Sequence, residues 1–241
     1  PELVKLLRRL GHDVPADSAF TDPTETAAST SIGQLFVPEF RRDTLALCLS
    51  FFFCLMAAYG GVFWLPTLLR GSGFDIASAS NGLLTFNLGG VLGALIGATL
   101  ISRFGSRVTM LSMCVGAVAG SALIASMSVG TQPTLMVFAL IAWTGGLING
   151  AQTTMYALAA HVYPAAIRAT GVGTAVAFGR VGGVLSSFAG SAALTPGGSR
   201  YFMMLAALMS LVFVALAAVR RHILPMHRQP ARAYVEASAT R

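Results

Sequence analysis

Residues 169–192 read ATGVGTAVAFGRVGGVLSSFAGSA, a run of apolar and small residues whose only charge is Arg180. As a helix this stretch would be about 36 Å long at 1.5 Å per residue, enough to cross a hydrocarbon core about 30 Å thick. An arginine at that depth costs a few kcal/mol on insertion scales unless it faces a cavity, a partner or a bound anion. The stretch therefore reads as a membrane span carrying a functional side chain near its middle.

The whole chain shares this character. Of 241 residues, 55% are hydrophobic and 10% charged, with a mean hydropathy of +0.71, whereas a soluble domain carries roughly 25% charged residues. Thr44–Leu65, Ala79–Ile101, Val108–Val129, Thr134–Val162 and Tyr201–Val219 are also long and apolar enough to span. With Ala169–Ala192 they predict an all-α polytopic membrane protein of six transmembrane helices. Pro66 is expected to close the first helix. Arg103-Phe104-Gly105-Ser106-Arg107, Gly130–Pro133, Pro164–Arg168 and Thr195-Pro196-Gly197-Gly198 punctuate the later ones.

Charge sets the expected orientation. Lys5, Arg8, Arg9, Arg41, Arg42, Arg103, Arg107, Arg168, Arg220, Arg221, Arg228, Arg232 and Arg241 fall on one side and Arg70 and Arg200 on the other, which predicts both termini in the cytoplasm. Residues 1–43 then read as a cytoplasmic segment, 44–219 as the membrane domain and 220–241 as a cytoplasmic tail. The chain starts without Met inside what reads as a linker, the pattern of a truncated protein. Orientation accounts for the net charge of +7, and no basic groove with interleaved aromatics signals nucleic acid. Cys48, Cys54 and Cys114 sit within apolar runs, against a disulfide framework or a metal site. The spans hold no carboxylate pair, no nucleophile with a base and no metal-ligand cluster, so an enzyme is excluded and no cofactor is called for.

Arg180 leaves two roles open, counter-charge for an anionic substrate or half of an ion pair with a carboxylate outside these helices. Asn149, Gln152, Thr153 and Tyr156 recur at i, i+3, i+4 and i+7 and share one helix face. Facing lipid would be costly for them, so they line a cavity or bond neighbouring helices. Asn87 has the same alternatives. Tyr59, Phe63 and Trp64 gather at the outer end of the first helix; Trp64 suits an interfacial aromatic belt, and the deeper Tyr59 is placed to stack on an aromatic substrate. Gly89, Gly90, Gly93, Gly97, Gly182 and Gly183 suit close helix crossings. A histidine side chain suits proton exchange near neutral pH, and within the six expected spans only His161 is one, which makes it the candidate for proton coupling here, although a histidine at a helix C-terminus is also ordinary. Every carboxylate lies at a helix end, in a loop or in the flanking segments, so a coupling carboxylate is expected outside the six helices.

Two motifs carry a resemblance. Ala98-Thr99-Leu100-Ile101-Ser102-Arg103-Phe104-Gly105-Ser106-Arg107 is similar to the G-x-x-x-D-R-x-G-R turn between the second and third helices of each half of major facilitator superfamily transporters. Arg103 and Gly105 match, Ala98 and Ser102 replace the glycine and the aspartate, and Arg107 lies one place late. The sequence His161-Val162-Tyr163-Pro164-Ala165-Ala166-Ile167-Arg168-Ala169-Thr170-Gly171-Val172-Gly173, followed by Gly179-Arg180-Val181-Gly182-Gly183, resembles the turn between the fourth and fifth helices in the aromatic acid:proton symporter branch. Trp64-Leu65-Pro66 fits the same branch; the sugar and organic-ion branches share the pattern more loosely.

The resemblance implies the C-terminal six-helix half of a twelve-helix transporter, built as two inverted three-helix repeats. It implies a missing N-terminal half as the other wall of a midplane substrate cavity, a small organic anion such as an aromatic carboxylate moved with protons, and a bacterial inner membrane as the site of action. Arg103, Gly105 and Arg168 take gating roles on this resemblance. A sugar or organic-ion carrier and a non-transporting subunit or channel are the alternatives.

Overall fold

The computed structural model describes residues 32–127, 129–193 and 198–225. Most of the expected 1–43 segment, the tail beyond Pro225 and the turn residues Thr195-Pro196-Gly197 lie outside the described residues. Among the described residues the regular structure is entirely helical. Six long helices follow in order: α1 (Arg41–Gly71), α2 (Ile76–Phe104), α3 (Ser106–Ala125), α4 (Thr134–Val162), α5 (Ala165–Ala193) and α6 (Ser199–Ala218), with 3-10 turns at Ile32–Phe36 and Val129–Thr131. Each is long and apolar enough to span, the mean hydropathy of the best 18-residue window running from 1.3 to 2.3. Among the described residues these six helices are the spans of a multi-pass membrane protein.

Local chemistry sets the ends. The Asp75 carboxylate accepts the Ser78 N–H at 3.2 Å and caps α2. Gly105 and Gly198, at φ +83° and +70°, turn the chain immediately before α3 and α6, a conformation that favours glycine. Pro164 precedes α5, which starts at Ala165 rather than at the expected Ala169. The earlier start puts Arg180 within a residue of the helix midpoint.

Pro66 does not close α1, which runs through it to Gly71. The proline removes one N–H and crowds one carbonyl, whereas abandoning the helix inside hydrocarbon would strand several backbone groups. Likewise α3 ends at Ala125, short of the expected Val129, which instead opens a 3-10 turn.

Packing has an internal symmetry. α1 pairs most extensively with α5, α2 with α4 and α3 with α6. Exchanging α1 with α4, α2 with α5 and α3 with α6 leaves those pairings unchanged, and it interchanges the secondary contacts α1–α6 and α4–α3. Short turns make successive spans antiparallel, so after three helices α4 runs opposite to α1, and the repeats α1–α3 and α4–α6 are inverted. Both principal seams are glycine crossings. On α2, Gly89 and Gly93 lie on the backbone of Ala142 and Gly146, and on α5, Gly182 lies on the backbone of Phe52. Any side chain there would meet main chain that cannot step aside.

The basic end of the bundle is tied together by side chains on four segments. Asp43 is buried and accepts the Arg220 N–H at 2.8 Å. The Tyr163 hydroxyl donates to Thr44, whose own hydroxyl donates to the Leu35 carbonyl. Ser106 joins the α2–α3 turn to the chain after α6: its N–H donates to the Ile223 carbonyl, its Oγ accepts the Ile223 N–H, and Oγ lies 3.2 Å from His222 Nδ1. Burial, with help from the nearby Arg107 charge, holds His222 below the usual histidine range.

Candidate functional site

Two concavities open along the two glycine seams. The first, about 600 Å³, lies between α1 and α5 and is lined by Tyr59, Phe63, Arg180, Gly183, Val184, Ser187 and Phe188. Gly183 creates its floor: a methyl there would come within 2.7 Å of the Tyr59 ring, so the missing side chain lets that ring lie against α5. Tyr59 stacks on Phe63 one turn along, with ring centroids 5.7 Å apart and planes 22° apart, within the offset-stacked range. Trp64, expected only as an interfacial anchor, donates its indole N–H to the Ser186 carbonyl at 3.2 Å and so pins α1 to α5 beside this shelf.

Arg180 is exposed in this concavity. Among the described residues the ion pair is Arg221–Glu39, at the basic end, and no carboxylate lies within ion-pair distance of Arg180. A guanidinium at mid-span offers five donors in a planar fork suited to a carboxylate. Beside it lies a flat aromatic wall. Together they can hold a planar organic anion by its charge and its face.

The second concavity, about 380 Å³, lies between α2 and α4 and is lined by Asn87, Gly90, Val91, Ala94, Leu95, Asn149 and Thr153. It is the repeat-related copy of the first. Gly90 meets Asn149 as Gly183 meets Tyr59. Along α2 and α5, Asn87 falls where Arg180 does, Val91 with Val184, Ala94 with Ser187 and Leu95 with Phe188; across α4 and α1, Thr153 falls with Phe63. Here the amides turn back on their own helices, Asn87 donating to the Leu83 carbonyl at 2.8 Å and Asn149 to the Gly145 carbonyl at 2.9 Å. The copy is neutral and polar where the first is cationic and aromatic.

The expected site residues are thus split. Arg180 joins Tyr59, and Asn87 joins Asn149 with Thr153. Gln152 is half-buried and Tyr156 is 38% exposed with its ring edge-on to Phe51 at 5.1 Å; neither lines these concavities. Within the stripe Thr153 and Tyr156 are exposed, whereas Leu158 on the opposite side of α4 is buried. Ser187 and Phe188 were not singled out by sequence.

The residues with expected gating and proton roles lie elsewhere. Arg103 is exposed and sits over its neighbour Phe104, 5.6 Å from the ring centroid. Gly105 packs beneath Ile223 and Pro225. Arg168 donates to the Tyr163 carbonyl at 3.4 Å, and with His161, Arg220 and Arg221 it lines a separate concavity at the basic end. His161 and Arg180 therefore do not share a site.

The model of the Major Facilitator Superfamily matches residues 4–187. A gallate transporter of Pseudomonas putida is 33% identical over 199 residues, covering 81% of this chain and 43% of its own length. A 3-(3-hydroxy-phenyl)propionate transporter of Escherichia coli is 35% identical over 181 residues, 75% of this chain and 42% of its own. A 4-hydroxybenzoate transporter of Pseudomonas aeruginosa is 34% identical over 194 residues, 77% of this chain and 40% of its own. The chain thus spans less than half the length of these curated relatives.

Proposed function

The chain belongs to the major facilitator superfamily, and from that premise we propose that it is the C-terminal six-helix half of a secondary transporter moving an aromatic carboxylate with protons. An N-terminal six-helix half supplies the facing wall, and both termini of this half lie in the cytoplasm of a bacterium, with the spans in its inner membrane. One observation carries the reading: a mid-span arginine with no carboxylate partner among the described residues opens beside a stacked tyrosine and phenylalanine. The names of the relatives support the same substrate class.

In this reading the substrate carboxylate takes a bidentate contact from Arg180, and its ring lies on the Tyr59–Phe63 shelf. Desolvating Arg180 between the two halves strengthens that contact, so the bound anion offsets the cost of a lone cation at mid-depth. The glycine seams let α1 slide on α5 and α4 on α2 as the halves rock. Arg103, Gly105 and Arg168, all at the basic end, act on the cytoplasmic gate. Asn149, Gln152 and Tyr156, with Asn87, present a polar wall to the path. The proton site lies in the other half, since Arg180 is permanently charged and His161 lies outside both concavities.

Uptake of labelled aromatic acids by the complete transporter, and exchange of external labelled for internal unlabelled acid, tests this directly. Saturable uptake with counterflow supports a carrier. Flux without counterflow would identify a pore, and no flux of any aromatic acid would reject the substrate class.

A further inference from the structure

The proposed anion site has polar groups at two separate heights on α5. Ser187 follows Arg180 by two turns, so the two positions lie on one helix face about 10 Å apart along the axis. Both line the α1–α5 concavity, and between them the wall is Gly183 and Val184, with the Tyr59 ring against it. The adjacent Ser186 is buried and donates to the Gly183 carbonyl at 2.6 Å. Ser187 is instead exposed to the concavity, and among the described residues its hydroxyl has no hydrogen-bond partner. The repeat-related position on α2 is Ala94, so a polar group at this place on the helix belongs to the cationic copy alone.

Resting on the transport reading above, we infer that Ser187 is a specificity-determining residue that reads a hydroxyl on the substrate ring opposite the carboxylate. Helical side chains lean toward the N-terminus, and the arginine is the longer of the two, so the two polar groups can stand farther apart than the ~10 Å between their positions along the axis. A benzene ring with a carboxylate and a para hydroxyl spans about 6 Å, and a hydrogen bond of about 2.8 Å at each end extends its reach to about 12 Å. Arg180 holds the carboxylate, the ring lies across Gly183 on the aromatic shelf, and the para hydroxyl meets Ser187 Oγ, which can donate or accept. A meta or ortho hydroxyl points off this line. Benzoate leaves Ser187 unpaired.

The test is competitive uptake by the complete transporter of 4-hydroxybenzoate, 3-hydroxybenzoate, 2-hydroxybenzoate and benzoate, in wild type, Ser187→Ala and Ser187→Thr, at matched membrane levels. Wild type should prefer the para isomer. Ser187→Ala should raise the KM for 4-hydroxybenzoate about five- to tenfold, the loss of one buried hydrogen bond, while changing that for benzoate less than twofold. Ser187→Thr, which keeps the hydroxyl, should retain most of the preference. An unchanged para-to-benzoate ratio in Ser187→Ala, or a wild type indifferent to hydroxyl position, overturns the inference while leaving the transport reading intact. Absence of saturable uptake of any of these acids overturns both.

Discussion

The α1–α5 and α2–α4 concavities are built on the same backbone plan and differ in what hangs from it. In each, a glycine-rich helix crosses its partner on main chain, and the glycine that follows exposes the partner's side chain as a floor. On that common frame Arg180, Tyr59 and Phe63 face one opening and Asn87, Asn149 and Thr153 the other. The inverted repeat therefore accounts for where the two sites lie, and a few side chains account for what each can bind. On the proposed reading, a cation with an aromatic shelf suits planar anions. The two amides and the hydroxyl of the other copy bring no charge and bond to their own helices.

The sharpest way to break this contrast is to remove the head group from each copy in turn. Arg180→Ala in the complete transporter should lower kcat/KM for uptake at least a hundredfold, about 2.7 kcal/mol. Arg180→Lys should lower it at least tenfold, because an ammonium cannot reproduce a planar two-pronged contact. Asn87→Ala at the matching position should cost only about two- to fivefold, the scale of one neutral hydrogen bond. Membrane levels are measured alongside by blotting. If a normally inserted Arg180→Ala transports like wild type, the asymmetry is decorative and the site is elsewhere.

A second experiment tests what the copies share. Gly182→Leu and Gly93→Leu each drive a side chain into backbone, of Phe52 and of Gly146 respectively, so neither neighbour can rotate away. Overpacking of this kind costs about 1–3 kcal/mol. Both variants should lose several-fold in the amount of folded protein extracted in mild detergent, and by similar factors. Gly71→Leu, where an added side chain meets nothing within 4 Å, should not. Tolerance at one seam with collapse at the other would show that the repeats are not mechanically equivalent.

How much of this was legible in the sequence follows from what each signal measures. Hydropathy reports burial in lipid and gave six spans, and one charge in an apolar run made Arg180 stand out. Periodicity placed Asn149, Gln152, Thr153 and Tyr156 on one face of α4, of which Asn149 and Thr153 line the second concavity. It could not say that Asn87 sits opposite them or that Tyr59 sits beside Arg180, because helix partnership and register reside in crossings between segments far apart in the chain. Ser187 was hidden next to Ser186: the two are alike in sequence, and only the crossing with α1 buries one and opens the other. Asp43 looked like an ordinary helix-end charge, yet its carboxylate is buried because the chain after α6 folds back over it. Pro66 misled because the rule for helix ends assumes water as the alternative partner for the freed carbonyl.

The aromatic shelf offers a smaller, finer test. Tyr59→Leu keeps an apolar wall and removes the ring face, and should raise the KM for aromatic acids about three- to tenfold, in line with about 0.5–1.5 kcal/mol for a stacked pair. Tyr59→Phe should change it less than twofold. Asn149, at the corresponding place in the other copy, should tolerate Leu with little change in aromatic-acid KM. If Tyr59→Leu were silent and Asn149→Leu costly, the ring would lie against the neutral copy and the assignment of the two concavities would have to be exchanged.

The smallest expected effect concerns the proton. Neither concavity contains a carboxylate or a histidine, so neither can change charge between about pH 5 and 8, where an unperturbed imidazole does. His161 lies instead in the basic-end concavity, and the groups around it there are Glu39, Arg168, Arg220, Arg221 and His222. Glu39 is taken up by Arg221 at 2.7 Å, which leaves His161 among cations rather than in a relay with a free carboxylate. A coupling group must also be reachable from both sides of the membrane in turn, whereas a residue in the last turn of α4 stays at one end. His161→Ala in the complete transporter should therefore change uptake less than twofold and leave its pH profile and its response to an imposed proton gradient unmoved. A profile displaced by half a pH unit or more, or loss of gradient-driven accumulation with exchange intact, would put the coupling site in this chain. The difference between the two concavities would then be only half of the transport mechanism present in these six helices.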